Sequence, residues 1–426
     1  MVEHWLSSKR GWLLGLFIFT LPINLFKSFQ SSEEYLSGLR IDYLIPKMYL
    51  SDILLVALLW SLALTLPAIL KKNRQRIEIT LPTLAALSLG AITIIQQLST
   101  PLPLVGVLSL FKVVGAISLM ILVGKSKGII NKEVVMQSMS FALIWQSFLS
   151  IYQWINQYPF LPYAFSGESR LDSTIFSTKS IFLQPGHILP YGSTAHPNIL
   201  AGFAAIYGLG ILAYWLQSTA KSRLAHALIL GGLISSLTIL ALTESLSAVI
   251  TFFSGSYLLL FLDLRKRKLN SYNWFGLATI LMSVGIVGLL AATSRWPNNT
   301  SLSRRTELQL AAAQIASVEP LVGVGGGQFT VALNQLGLDK KLAPFVQPVH
   351  NVPILFFCEY GLVGIVLLII AKRQFPYGWF AKKLPIALLA ILPLLALDHY
   401  LISLTPGLYL LVLVPTLWQL QEVKSG

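Results

Sequence analysis

Long apolar runs alternate with short polar segments along most of the chain. A bilayer core is about 30 Å thick, so a helix needs roughly 20 apolar residues to cross it. Backbone groups in lipid must be hydrogen-bonded within each helix, so the pattern predicts an all-α, polytopic transmembrane bundle. We place its helices near residues 11–26, 48–70, 79–98, 103–123, 134–156, 193–217, 225–243, 246–262, 272–292, 351–371, 384–401 and 405–420.

Composition agrees with a membrane protein and excludes a soluble one. Hydrophobic residues make up 55% of the 426 residues, charged residues make up 11%, and the mean hydropathy is +0.70. The polar side chains are too few to cover a surface that faces water. We therefore expect residues 1–426 to form a single integral membrane domain. Its first apolar run is followed by further spans, so we interpret it as a membrane helix rather than a cleaved signal.

Positive charge predicts the orientation. Most Lys and Arg residues lie in short polar segments, such as 71–76 and 265–268, which the positive-inside rule places in the cytoplasm. Both termini are then cytoplasmic, and the three longer segments 27–47, 157–192 and 293–350 are external, the last two being the largest loops. The net charge of +14 is therefore a topology signal, and we expect no nucleic-acid partner.

The chain has one cysteine, Cys358, within a predicted helix. A single cysteine excludes an internal disulfide and a cysteine-rich metal site. We expect no metal and no cofactor. Function is therefore sought in the helices and in the long external loops.

The external loop 293–350 is much longer than the usual connection of about four to six residues, so we expect it to have its own structure. Ser303 is a candidate N-cap, and apolar residues recur at helical spacing after it, which predicts a short amphipathic helix over 304–317. Arg304 and Arg305 would lie in the first turn of that helix. Free backbone amides and guanidinium groups at that position attract phosphate.

A glycine-rich stretch, 323–329, follows this helix and allows a tight turn or a close approach to a ligand. The loop ends at His350, which brings an imidazole to the outer mouth of the next helix. An anion clamp and a titratable base in one external loop favour transfer chemistry on a phosphate-linked substrate.

These motifs, taken in order, resemble the O-antigen ligase and O-antigen polymerase superfamily. The resemblance covers about residues 190–370, and it extends to the N-terminal helices only by topology. The motifs that carry it are Ala195-His196-Pro197-Asn198, the helix with Arg304 and Arg305, Gly323-x-Gly325-x-Gly327-x-Phe329, His350-Asn351 and Glu359-x-Gly361-x-x-Gly364.

The resemblance implies a membrane glycosyltransferase of the C-type fold with a large external loop containing short amphipathic helices. Such enzymes take a glycan from undecaprenyl diphosphate and join it to a sugar hydroxyl, on lipid A-core in ligases and on another repeat unit in polymerases. His350 is then the implied base, and Arg305 or Arg304 the clamp for the leaving diphosphate. The implied location is the bacterial inner membrane, with the active site facing the periplasm.

The chain departs from the family at one position. Family members often carry an Arg in a Ser-Arg pair where this chain has Ser245-Leu246-Ser247. Either Arg304, Arg170 or Arg295 supplies the second cation, or the donor is bound differently. Ligase and polymerase activity both stay open.

Several other polar residues are candidates for substrate binding. Ionisable groups inside helices are costly in lipid and mark a functional cavity by default. Structural roles compete: an ion pair for Lys112, and helix capping for His196, Asn198 and Asp398. The full set is Asn351, Glu244, His196, Asn198, Lys112 and Asp398.

A twelve-helix transporter would fit the same hydropathy pattern. Two observations disfavour it: the sequence shows no repeated halves, and its distinctive residues concentrate in one external loop rather than at the midplane. A lipid-binding scaffold would explain the basic loop but would make no use of His350.

Overall fold

The computed structural model describes residues 2–29, 34–63, 81–125, 132–171, 178–217, 222–267, 300–337, 346–374 and 387–419, and most of them are helical. The predicted helix 272–292 lies outside the described residues. The helices are Val2–Thr20 (α1), Leu50–Ala63 (α2), Leu81–Leu98 (α3), Pro103–Lys125 (α4), Lys132–Asn156 (α5), Tyr163–Ser166 (α6), Pro197–Gln217 (α7), Arg223–Thr243 (α8), Leu246–Arg267 (α9), Thr300–Val318 (α10), Phe329–Gln335 (α11), Val352–Gln374 (α12), Leu392–Leu397 (α13), Tyr400–Ser403 (α14) and Thr405–Gln419 (α15).

The polytopic helical class is confirmed. Within the described residues, five helices are long and apolar enough to cross a membrane: Pro103–Met120, Lys132–Asn156, Pro197–Leu216, Arg223–Thr243 and Val352–Ile370. Shorter apolar helices cover Gly11–Thr20, Leu50–Ser61, Leu246–Leu262 and Thr405–Pro415.

Two predicted helices have different ends in the structure. The first helix ends at Thr20, shortly before Pro22, and not at residue 26. The helix predicted from 193 begins at Pro197, because polar side chains of α5 hold the preceding residues in a turn. Gln146 Oε1 accepts from the Ser193 amide at 2.9 Å, and Gln153 Oε1 accepts from the Gly192 amide at 2.8 Å.

The continuous helix predicted over 384–401 is wrong. Residues 387–390 and α13 are helical, but the backbone is extended at Asp398 and the short helix α14 follows. Asp398, at the break, forms hydrogen bonds both within its own segment and to another helix of the bundle. The Asp398 amide donates to Leu394 O at 3.0 Å, and Ser247 Oγ donates to Asp398 Oδ2 at 2.6 Å.

Helix α7 lies at the centre of the bundle. It packs against α5, α8, α9 and α15, and 72% of its membrane-length span is buried. Its small residues let neighbouring backbones approach closely. Ser236 Oγ of α8 donates to Ala204 O at 2.8 Å, and Tyr207 Oη donates to Ile18 O of α1 at 2.6 Å. These contacts fix the N-terminal half of α7 in the bundle, and Asn198 lies in its first turn, two residues after His196.

A loop that joins α1 to α2 is folded back over the bundle. Its strand Phe26–Ser28 (β1) pairs antiparallel with Lys47–Tyr49 (β4), and Tyr35–Leu36 (β2) pairs with Leu39–Arg40 (β3). Apolar side chains of the loop are buried against the first turns of α4 and against α11, in a cluster of Ile41, Leu44, Val105 and Val331. This packing holds the loop over one end of the helices.

The glycine-rich stretch interlocks with a kink in α12. Gly361 interrupts the helix with φ 57° and ψ −158°, a region that is essentially restricted to glycine. The Val324 amide donates to Cys358 O at 2.9 Å, and the Leu362 amide donates to Pro320 O at 3.0 Å. The stretch therefore shapes the loop by packing on α12, which brings the C-terminal end of α10 against that helix.

Replacing Gly361 by alanine should prevent stable folding. A Cβ there would lie 2.5 Å from Leu321 O, and the backbone conformation alone costs a non-glycine residue about 1–3 kcal/mol. We expect little monodisperse Gly361→Ala protein by size-exclusion chromatography and a lower melting temperature. Gly90→Ala is the matched control, because a Cβ at Gly90 meets no atom within 4 Å. Equal melting temperatures for the two variants would contradict the interlock.

Candidate functional site

A cavity of about 480 Å³ opens between the loop 26–49 and the segments that precede α7 and α12. Its volume is typical of a site for a small ligand or part of a larger one. The structure brings five of the predicted site residues to this one cavity: Arg170, His196, Asn198, His350 and Asp398.

His350 enters the cavity because Asn351 caps the next helix. Asn351 Oδ1 accepts from the Ile354 amide at 3.0 Å, and its Nδ2 donates to Ala396 O at 3.3 Å. The Asn351 side chain is thereby held by backbone groups of α12 and α13. The His350 ring packs edge-on against that of His399, with centroids 4.8 Å apart. Its Nδ1 is buried and has no hydrogen-bond partner in the part of the chain that the structure describes.

His196 has a defined hydrogen-bonding pattern. The Asn198 amide donates to His196 Nδ1 at 3.1 Å, so that nitrogen carries no proton. The proton of the neutral ring then lies on Nε2, which is 3.1 Å from Thr178 Oγ1. His196 therefore orders the start of α7 while its ring lines the cavity.

Arg305 supplies positive charge beside both imidazoles. Burial, and then the Arg305 charge and His196, lower the pKa of His350 to about 3. Burial and the Arg305 charge lower the pKa of His196 to about 4. The charge of Arg305 also reaches Asp398 and His399. The charge of Arg305, a half-buried residue of α10, thus affects the ionisable residues of the cavity wall.

The predicted position of Arg305 in the first turn of its helix, α10, is wrong. Helix α10 includes Thr300, so Ser303 is not the N-cap; its Oγ lies inside the helix, 3.4 Å from Glu307 Oε1. Arg304 and Arg305 are consequently beyond the first turn, and the free amides of a helix start do not assist them. Any anion binding at this position depends on the guanidinium groups themselves.

Comparison with known proteins bears on the same region. Residues 230–369 match the family described as O-Antigen ligase. The match runs from α8 into α12 and includes Arg304, Arg305, His350 and Asn351. This match supports the O-antigen ligase superfamily that the sequence motifs resemble. A comparison with curated proteins finds no match.

The match supports, in general terms, a multi-pass membrane glycosyltransferase of the ligase or polymerase type. Its substrates are, in general terms, a lipid-linked glycan and an acceptor. The matched residues contribute His350 and Arg305 to the site, whereas His196, Arg170 and Asp398 lie outside the matched range.

Glu244 is not among the residues that line this cavity. Its carboxylate accepts hydrogen bonds from Ser180 Oγ at 2.6 Å and from the amides of Ile181 at 2.8 Å and Leu183 at 2.8 Å. The residue occupies the left-handed C-cap position of α8. Glu244 thus ties residues 180–183 to the end of that helix.

Lys112 lies below the cavity, on α4. It lines two smaller cavities of about 30 and 50 Å³, the first of which shares Asp42 and Lys47 with the main one. Its electrostatic neighbours include Glu359 and Asp52. Arg295, the remaining candidate, lies outside the described residues.

The loop 26–49 forms one wall of the cavity, and the sequence did not predict this. Tyr43 and Lys47 line the cavity, and the Tyr43 ring packs edge-on against that of His399 with centroids 5.3 Å apart. A signal was present: this polar loop is also longer than a simple connector and contains several aromatic residues. Its apposition to His399 was not visible in the sequence because the two are distant in the chain.

The two lowered imidazole pKa values predict that acid destabilises the fold. An ordinary imidazole has a pKa near 6.5, so below that pH the unfolded chain binds protons that the folded protein excludes. Stability should be complete above pH 6.5 and should fall as the pH decreases towards 3 to 4. We expect a lower melting temperature at pH 5 than at pH 7, and a smaller difference in His196→Gln. The matched control is the exposed His226→Gln; an equal reduction in both variants would contradict the assignment.

Proposed function

We propose that this protein transfers a glycan from undecaprenyl diphosphate to a hydroxyl of lipid A-core, as an O-antigen ligase does. The observation that carries the proposal is the cavity that His350 lines within the electrostatic reach of Arg305. A base and a fixed cation at one site match the two needs of the reaction. These are removal of a hydroxyl proton and stabilisation of a leaving diphosphate.

In the proposed reaction, the acceptor hydroxyl oxygen forms a bond to the anomeric carbon while the bond from that carbon to the diphosphate oxygen breaks. The hydroxyl proton passes to His350, and the electron pair of the broken bond stays on undecaprenyl diphosphate beside Arg305. His350 is neutral at physiological pH because its pKa is about 3. A bound diphosphate opposes the Arg305 charge and so raises that pKa, which makes the imidazole a stronger base when the donor is present.

The direct test uses purified protein, an undecaprenyl-diphosphate-linked glycan and lipid A-core. We expect undecaprenyl diphosphate to be released only when both substrates are present, together with glycan attached to lipid A-core. Growth of the glycan on its lipid carrier without lipid A-core would instead indicate the polymerase. Movement of the intact lipid-linked glycan across a vesicle membrane, without release of the carrier, would contradict both and favour a transporter.

A deletion strain separates ligase from polymerase in the cell. A ligase defect leaves lipid-linked polymer accumulated and lipid A-core bare. A polymerase defect leaves single repeat units on the acceptor. We expect the first pattern.

The proposed site faces the periplasm, and thiol labelling of intact cells tests this orientation. In a Cys358→Ser background, we expect an impermeant reagent to label Phe165→Cys and Gln335→Cys but not Ser222→Cys. All three positions are exposed, Phe165 with 78% of its surface accessible. Labelling of position 222 alone would invert the orientation.

A further inference from the structure

The leaving diphosphate carries negative charge on both phosphates, and Arg305 is one cation, whose charge reaches His350 and His196 in the cavity wall. Two basic side chains of the described residues line the cavity wall itself, Lys47 and Arg170. They differ in their surroundings. The Lys47 side chain is only 10% exposed, whereas Arg170 is exposed to solvent. A charge removed from water acts more strongly on a bound anion and is screened less by salt.

Lys47 is held in place from both sides. It begins β4, where it pairs with Ser28 of β1, and its Nζ lies 4.8 Å from the centroid of the Phe26 ring. The aliphatic stem is thereby buried while the ammonium group lines the cavity. The same loop contacts the catalytic side of the cavity through Tyr43, whose ring packs on His399, and His399 packs on His350.

Among the residues that the structure describes, Lys47 forms an ion pair with one carboxylate, that of Asp42. Lys47 Nζ lies 2.7 Å from Asp42 Oδ1, and the Asp42 side chain is 65% exposed. An exposed carboxylate loses little when its ion pair is broken, because water solvates it again. A diphosphate in the cavity offers more charge and more acceptor oxygens than Asp42 does. Lys47 is therefore held in place, whereas Asp42 is free to be exchanged for another anion.

We propose that Lys47 binds a phosphate of the diphosphate-linked donor by exchanging Asp42 for it, in addition to the charge supplied by Arg305. This inference rests on the proposed function, since it names the second cation for that same donor. Asp42 is then the counter-ion of Lys47 while the cavity holds no donor. Lys47 is then a binding residue for the diphosphate and takes no part in proton transfer.

The test compares the donor KM, the acceptor KM and kcat of four variants of the full-length protein. Lys47→Gln should raise the donor KM about 10- to 100-fold, as expected for loss of a charge-assisted hydrogen bond, and should leave the acceptor KM unchanged. Lys47→Arg keeps the charge and should stay within a few-fold of wild type. Asp42→Asn should lower the donor KM, because the competing carboxylate is gone. Lys27→Gln is the matched control: Lys27 lies on β1 of the same sheet, is exposed and does not line the cavity.

Inorganic pyrophosphate provides a readout that does not depend on glycan transfer. We expect it to bind wild-type protein, to bind Asp42→Asn more tightly and to bind Lys47→Gln at least tenfold more weakly. Equal binding by Lys47→Gln and Lys27→Gln, at matched melting temperatures, would overturn the assignment of Lys47 even if wild-type protein transfers glycan. Absence of transfer by wild-type protein, with Lys47-dependent pyrophosphate binding intact, would overturn the proposed function and leave the anion site standing. A raised donor KM in Asp42→Asn would show that the ion pair is structural.

Discussion

Substitution of His350 by alanine should slow glycan transfer by about 10²- to 10⁴-fold, the usual contribution of a positioned general base. The variant should still bind the lipid-linked donor, because Arg305 and Lys47 remain in place. The loss should persist at every pH, since no other group takes over the proton. The measurement is the rate of undecaprenyl diphosphate release, with donor binding followed separately.

His350→Gln separates proton transfer from orientation. The amide keeps a hydrogen-bonding group of similar reach but does not accept the proton of the sugar hydroxyl. We expect the Gln variant to be nearly as slow as the Ala variant. Near-normal turnover would show that His350 only orients a substrate, and Asp398, which lines the same cavity, would become the residue to test.

Loss of Arg305 should have the second largest effect. Removing one preorganised donor to a developing anion typically costs about 10²- to 10³-fold in kcat, and we expect a loss of this size for Arg305→Ala. Arg305→Lys should recover little, since a point charge does not reproduce the planar, bidentate guanidinium. Arg304→Ala is the neighbouring control and should have a much smaller effect. Full transfer by the Arg304→Ala, Arg305→Ala double variant would eliminate the clamp.

The same substitution should change the pH dependence of the residual activity. Burial is the main cause of the low pKa of His350 and the Arg305 charge adds to it, so removal of Arg305 raises that pKa above about 3 while the effect of burial remains. Protonation of the base would then begin at a higher pH. The acid limb of kcat/KM for Arg305→Ala should therefore move to higher pH relative to wild type, and an unmoved limb would place Arg305 away from the base.

The helical class was predictable because hydropathy over about 20 residues measures the cost of placing each segment in lipid. The break at Asp398 was not predictable, because Ser247 and the neighbouring backbone satisfy it from another part of the fold. The start of α10 was predicted wrongly for a local reason. A serine inside a helix, such as Ser303, has the same sequence pattern as a serine that caps the start of a helix. Motif order indicated His350 and Arg305, but only the folded loop 26–49 brought Lys47 to the same cavity.

The cavity wall is assembled from several separate parts of one chain. One part, with His350, comes from residues 230–369, which match the O-antigen ligase family, while the part with Lys47 and Tyr43 comes from a loop near the N-terminus. That loop pairs with itself through two short strand pairs and contacts the rest of the fold through a small apolar cluster. A change confined to that loop therefore alters one wall of the cavity without changing any of the matched residues that carry His350.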